Sequence, residues 1–163
     1  MPFELPPRSG PRPQTTGCAP HEQLDQNSSF EVHQCFKSRA FDFPFVERRP
    51  SIISVPGAEA LWLPDEHAHG CRESFMIGNE FAHVHPAYDG SMHLMLPREC
   101  VDELMRKGWG EAHPMAATGL IPDTAVMVFA PRNDGEIDTA LKILSISYEF
   151  ASAKLANPAQ VLI

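Results

Sequence analysis

The chain has 163 residues, 43% of them hydrophobic and 21% charged, which fits one soluble globular domain able to build a core without disulfides or a structural metal. Against 13 Lys and Arg stand 21 Asp and Glu, a formal charge of −8 that repels phosphate backbones and anionic lipid, so neither nucleic acid nor membrane is expected as a partner. No apolar run reaches the roughly 18 to 20 residues that cross a bilayer, and the first residues lack a basic stretch followed by an apolar one, so a cytoplasmic protein is expected.

Residues 1–20 hold Pro2, Pro6, Pro7, Pro11, Pro13 and Pro20. Proline fixes φ and removes a donor, so this reads as an extended arm, with one domain over 21–163. A first helix is expected from Ser28 or Ser29 to about Ala40, with Ser28 and Glu31 as a capping box and Phe36 and Ala40 on one face. Residues 51–55 and 58–63 read as the strands of a hairpin, with Pro56-Gly57 at the centre of a type II turn. Residues 64–73 are a polar loop.

Two further strands are expected at 80–86 and 91–96, joined around Tyr88-Asp89-Gly90. Pro97 opens a helix through Lys107, with Val101, Leu104 and Met105 as its apolar stripe and Gly108 as its stop. After a Trp-Gly and His-Pro loop, 124–130 reads as a buried strand. Asn133, followed by Glu136, starts a last helix carrying Ile137, Ala140, Leu141, Leu144, Tyr148 and Ala151, which Asn157-Pro158 ends. The class is therefore α+β: an antiparallel sheet of about five strands with helices packed on one face. Cys18, Cys35, Cys71 and Cys100 form no CxxC and read as reduced packing thiols.

Chemistry concentrates between Glu80 and Leu94. On a strand His83 and His85 share a face. A three-residue loop with Gly90 left-handed pairs His85 with His93, puts all three imidazoles on one face, and leaves Ala82, Val84, Met92, Leu94 and Leu96 on the other. Three uses of that face stay open: a divalent metal held by His83, His85, His93 and Asp89; a metal-free acid/base and anion-binding site; or a solvated histidine face without chemistry. Further along, Trp109 lies between two glycines ahead of His113, where an indole could wall a planar ligand or simply pack on the core. Arg132, between a strand and a helix, could meet an anionic group.

Together these residues resemble the fungal luciferase family, which acts on 3-hydroxyhispidin, and the related bacterial luciferase-domain proteins. The resemblance runs from about residue 50 to 152 and is carried by three ordered blocks. They are Glu80, Ala82, His83, His85, Asp89 and His93; then Lys107 to Gly110 with His113 and Pro114; then Ala130 to Asn133.

The resemblance implies an oxygenase-type reaction with O2 as co-substrate, no flavin or nicotinamide, and a small planar hydroxylated pyrone or aromatic as substrate. His83, His85 and His93 would then be base and anion stabilisers, with Asp89 orienting one imidazole. Trp109, His113, Lys107, Arg132, Tyr88 and Glu80 would bind substrate. The alternatives are a His/Asp-coordinated metal-dependent hydrolase or dioxygenase, and a non-catalytic small-molecule binding module. The proline-rich arm stands where the luminous members carry an apolar membrane segment, so fold and site are expected to transfer better than substrate.

Overall fold

In the computed structural model, which describes residues 3–154, six strands form one antiparallel sheet in the order β1-β2-β3-β4-β6-β5. The strands are β1 (Glu47–Pro50), β2 (Glu59–Trp62), β3 (Glu80–Val84), β4 (Met92–Met95), β5 (Gly110–Ala112) and β6 (Ala125–Val128). Helices α1 (Phe30–Ala40), α2 (Arg98–Arg106) and α3 (Asp134–Ser152) complete an α+β fold. None of these helices is long and apolar enough to cross a membrane.

Strand alternation sorts the sheet. Leu61, Ala82, Val84, Met92, Leu94, Val126 and Val128 all point to one face. There they meet Phe36 and Ala40 of α1, Cys100 and Leu104 of α2, and Ile137, Ala140, Ile143, Leu144, Tyr148 and Ala151 of α3 in a single core. The spacing along α3 is that of one helical stripe, and each buried aliphatic side chain contributes about 1.5–3 kcal/mol. Asn133 caps α3 by accepting the Glu136 N–H at 3.0 Å.

The differences from expectation are local. The cap of α1 is Ser29, which accepts the Val32 N–H, whereas the Ser28 hydroxyl donates to Pro131 O. The hairpin is real but its first strand is 47–50, pairing Pro50 with Glu59. Residues 51–55 instead form the connecting loop, and Ile52 is 73% exposed. The Pro56-Gly57 turn holds within that loop, with Gly57 at φ 89° and Ala58 N–H donating to Val55 O at 3.1 Å.

His93 pairs with His83, two residues away from the expected His85. A two-residue slip preserves parity, so all three histidines still share a face. β5 is a sixth strand inside what read as a loop. On α2, Met105 is 44% exposed and Glu103 is buried in its place, because its carboxylate accepts the Leu5 N–H at 2.9 Å. α3 ends at Ser152, with Ala153 left-handed; Asn157 and Pro158 lie outside the described residues. Only Cys100 is a packing thiol; Cys18, Cys35 and Cys71 are exposed.

The N-terminal segment runs extended across the domain. Leu5 is buried in the core, Trp109 Nε1–H donates to Pro6 O at 2.6 Å, and Arg8 N–H donates to Lys107 O at 2.9 Å. The segment then turns onto the sheet face opposite the helices, where Gln23 N–H donates to Asp89 and Ala130 N–H donates to Gln23 Oε1.

Candidate functional site

The face of β3 and β4 turned away from the helices carries His83 and His93, with His85 one step past the end of β3, where its N–H donates to Ser91 O at 2.9 Å. His21 arrives from the N-terminal segment and His113 from the start of the turn after β5. Together they form one wall of a cavity of about 730 Å³. The same cavity is lined by Ile53 and Val55 from the loop that displaced the expected strand, and by Met76, Met115, Leu120 and Ile121. Apart from the imidazoles and Ser54, the lining is apolar.

The imidazoles are joined in a continuous row. His83 Nδ1 lies 2.8 Å from Glu80 Oε2, and His83 Nε2 lies 2.9 Å from His93 Nδ1. His93 Nε2 lies 2.9 Å from His21 Nδ1, and His21 Nε2 lies 3.1 Å from Glu111 Oε1. A carboxylate therefore closes each end of the row. Glu80 is buried and also accepts from the Ser51 hydroxyl, whereas Glu111 reaches the surface and pairs with Arg12 at 3.1 Å.

His85 stands beside the row with its own carboxylate. Its Nδ1–H donates to Asp89 Oδ2 at 3.0 Å, which leaves Nε2 as the nitrogen free of that contact. Asp89 is fully buried, and its other oxygen accepts both the N–H and the hydroxyl of Ser91. Burial alone would raise its pKa; hydrogen bonds from His85 and Ser91 outweigh that and hold it below the usual carboxylate range.

Burial pushes the imidazoles the other way. His83 is lowered by desolvation despite Glu80, and His21 likewise despite Glu111. His93 falls well below its ordinary value, through burial first and then the four surrounding histidines. Burial and its histidine neighbours take His113 down to about 4. These four are neutral bases at neutral pH. His113 Nδ1 accepts the Met115 N–H at 3.0 Å, so its Nε2 carries the proton and is a donor.

Of the residues singled out in the sequence, His83, His85, His93 and His113 line the cavity, with Glu80 and Asp89 directly behind them. The others are placed elsewhere. Trp109 is buried in the core on the helical side. Lys107 Nζ donates to Leu5 O at 2.7 Å, and Arg132 is tied to Glu136 and to Ser9 O at 2.7 Å. Tyr88 is 61% exposed and donates to Glu22 at 2.7 Å. Sequence reasoning passed over His21, Glu111 and Ser91. His21 is 62 residues upstream of His83, beyond any local spacing signal.

Comparison with known proteins places this geometry. Residues 78–147 match the luciferase domain, a span that includes His83, His85, His93, His113 and all the carboxylates behind the cluster. Over these residues the chain is similar to the luciferase-domain family. It is 30% identical to a luciferase of Armillaria ostoyae over 162 residues, covering 88% of this chain and 60% of that protein. With a luciferase of Armillaria gallica it shares 29% identity over 178 residues, 98% of this chain and 65% of the relative. A luciferase of Neonothopanus nambi is 36% identical over 70 residues, 42% of this chain and 26% of the relative. The chain thus spans between 60% and 65% of the length of these Armillaria relatives. No solved structure matches. His21 and the loop at 51–58 lie outside the span of the domain match.

Proposed function

We propose that this luciferase-like protein is an oxygen-using enzyme that acts on a small, planar, enolisable hydroxylated molecule such as a 3-hydroxy-2-pyrone. The observation that carries the reading is the make-up of the cavity, with five clustered imidazoles and a remaining lining that is aliphatic and thioether apart from Ser54. A flat ring fits the apolar walls, and its hydroxylated edge then meets the histidines.

Triplet O2 reacts slowly with closed-shell organic molecules, so an enzyme without flavin first has to make an electron-rich enolate. That needs a neutral base and a charge-stabilising environment close to the same oxygen. His85, steadied by Asp89 through Nδ1, presents Nε2 as the base, and His113 Nε2–H is a donor to the developing oxyanion. The demand on the wall is the same whether the enolate is held by imidazole N–H groups or by a metal ion bound to imidazoles. The names of the fungal relatives support light-emitting oxygen chemistry in those proteins, and O2 as co-substrate enters this reading from there.

The test is oxygen uptake at an electrode after mixing the purified protein with 3-hydroxyhispidin and simpler 3-hydroxy-2-pyrones. A His83→Ala/His85→Ala variant with an unchanged circular dichroism spectrum is the control. Uptake above background that the variant loses is the expected result. Equal uptake by both, or none with any member of the panel, overturns the proposal.

A further inference from the structure

The row Glu80–His83–His93–His21–Glu111 contains four hydrogen-bond contacts, and each needs one proton. A carboxylate supplies none, and three neutral imidazoles supply one each. The row is therefore one proton short. Glu80 fixes His83 Nδ1 as an N–H, and Glu111 fixes His21 Nε2 as another. His83 Nε2 and His21 Nδ1 are consequently both lone pairs, and both point at the ring of His93.

His93 can donate to only one of them. When it donates to His21, its Nδ1 and the Nε2 of His83 face each other as two lone pairs 2.9 Å apart. His85 adds a third, because Asp89 holds its Nδ1–H. One ring nitrogen from each of His83, His85 and His93 lies within 4.8 Å of the others.

The charges are equally unbalanced. Glu80 and Asp89 are 1% and 0% exposed, and among the described residues their ion-pair partners are His83 and His85, with no lysine or arginine. Buried charges are paired or serve a bound metal, and two carboxylates beside a dication are balanced.

We infer that His83, His85 and His93 bind one divalent transition-metal ion, with Glu80 and Asp89 as the outer acceptors that orient two of the ligands. A ligating histidine almost always donates its other N–H to a carboxylate, carbonyl or water, and here two of the three do so to buried carboxylates. Nitrogen donors select zinc, cobalt, nickel or iron over magnesium and calcium. Metal–nitrogen bonds of about 2.0–2.1 Å in a tetrahedral site space the nitrogens about 3.3 Å apart, a few tenths of an ångström beyond the His83–His93 separation.

Asp89, which the sequence placed among the ligands, stands behind His85 with both oxygens occupied. The second trio, His21, His93 and His113, is also within 4.8 Å, but the Met115 N–H takes the lone pair of His113 Nδ1 and leaves a proton on Nε2. A cation on the first trio takes the His85 Nε2 lone pair as a ligand, in place of the role as base given to it above, and would supply Lewis acidity to a substrate hydroxyl entering the cavity. Its binding is measured without substrate and so is tested apart from the oxygen chemistry proposed above.

The experiment uses untagged protein stripped with chelator and titrated with Co2+ in the absence of substrate. The expected result is ligand-field absorption in the visible that saturates at one Co2+ per chain, is abolished by Zn2+ and is unaffected by Mg2+. His93→Ala loses the spectrum, His113→Ala keeps it, and Glu80→Gln weakens binding about 10- to 100-fold. Thermal melts establish that each variant is folded. A wild-type protein without a Co2+ spectrum overturns the proposal whatever the variants do, and a His113→Ala variant as deficient as His93→Ala overturns the ligand set. Oxygen uptake is measured separately, so failure of one proposal leaves the other readable.

Discussion

Gly110→Ala is a single methyl group placed where the outer edge of the sheet has no room for it. A Cβ at Gly110 would sit 2.1 Å from Met127 O and 2.7 Å from Leu104 Cδ2. The leucine can turn aside, but the carbonyl belongs to β6 and is held in the sheet. Ordinary contact begins near 3.4 Å, so β5 must move outward by roughly 1.3 Å. Hydrogen bonds of 2.9 and 3.1 Å flank the position, from Phe129 N–H to Trp109 O and from His113 N–H to Ala125 O. Displacement of that size breaks them.

At about 1 kcal/mol each, with strain added, the loss is about 2–4 kcal/mol. Urea unfolding followed by fluorescence measures it, and hydrogen exchange at the Glu111 and Ala112 amides localises it. Gly135→Ala is the internal control: its Cβ meets only Asn133 Oδ1 at 3.4 Å, in the first turn of α3, and a gain of about 0.4–1 kcal/mol is expected. A Gly110→Ala protein within about 0.5 kcal/mol of wild type would refute the reasoning.

His33 is buried on α1 with Nδ1 unpartnered, and burial followed by Lys37 outweighs Glu59 and Asp89 to hold its pKa below 6.5. The unfolded chain thus takes up the proton first, and the native state loses stability as pH falls below about 6.5, by at most about 1.4 kcal/mol per pH unit. Relative to wild type, His33→Leu should gain stability between pH 7.5 and pH 5.5; a pH-independent difference in urea midpoints would contradict this. Cys18, Cys35 and Cys71 should react promptly with an aromatic disulfide reagent, while Cys100, whose thiol burial pushes up to about 11, should react only after denaturation. Glu103→Ala removes the acceptor for the Leu5 N–H, so limited proteolysis should cut the N-terminal segment faster while the remaining domain resists; an unchanged cleavage pattern would argue against that anchor.

The helices were legible because their signals are local. Asn133 caps where it was expected to, and the α3 stripe is the one that packs. Alternation was equally readable, and since it carries parity but not register, the histidine face survived a two-residue error in pairing. What failed was whatever depends on distant partners. β1 is Glu-Arg-Arg-Pro, an edge strand without apolar alternation, while the apolar residues beside it cover a cavity and so mimic a strand. β5 is three residues long and exists only through its pairing with β6. His21 was passed over, and the choice between the two readings of Trp109 stayed open, for the same reason: the N-terminal segment brings the histidine to the cavity and gives the indole its acceptor.

That segment also sets an order of assembly. Residues 5–26 leave the ribosome before any partner exists, since they dock on Asp89, His93, Glu103, Lys107, Trp109, Ala130 and Arg132. The segment made first is therefore seated last, after roughly a hundred further residues have been synthesised and the sheet has closed through β6. Until then the imidazole row ends at His93. A nascent or partly unfolded chain carries β3 and β4 without the histidine that completes the row between the two carboxylates, so the finished row arrives as one of the final events of folding.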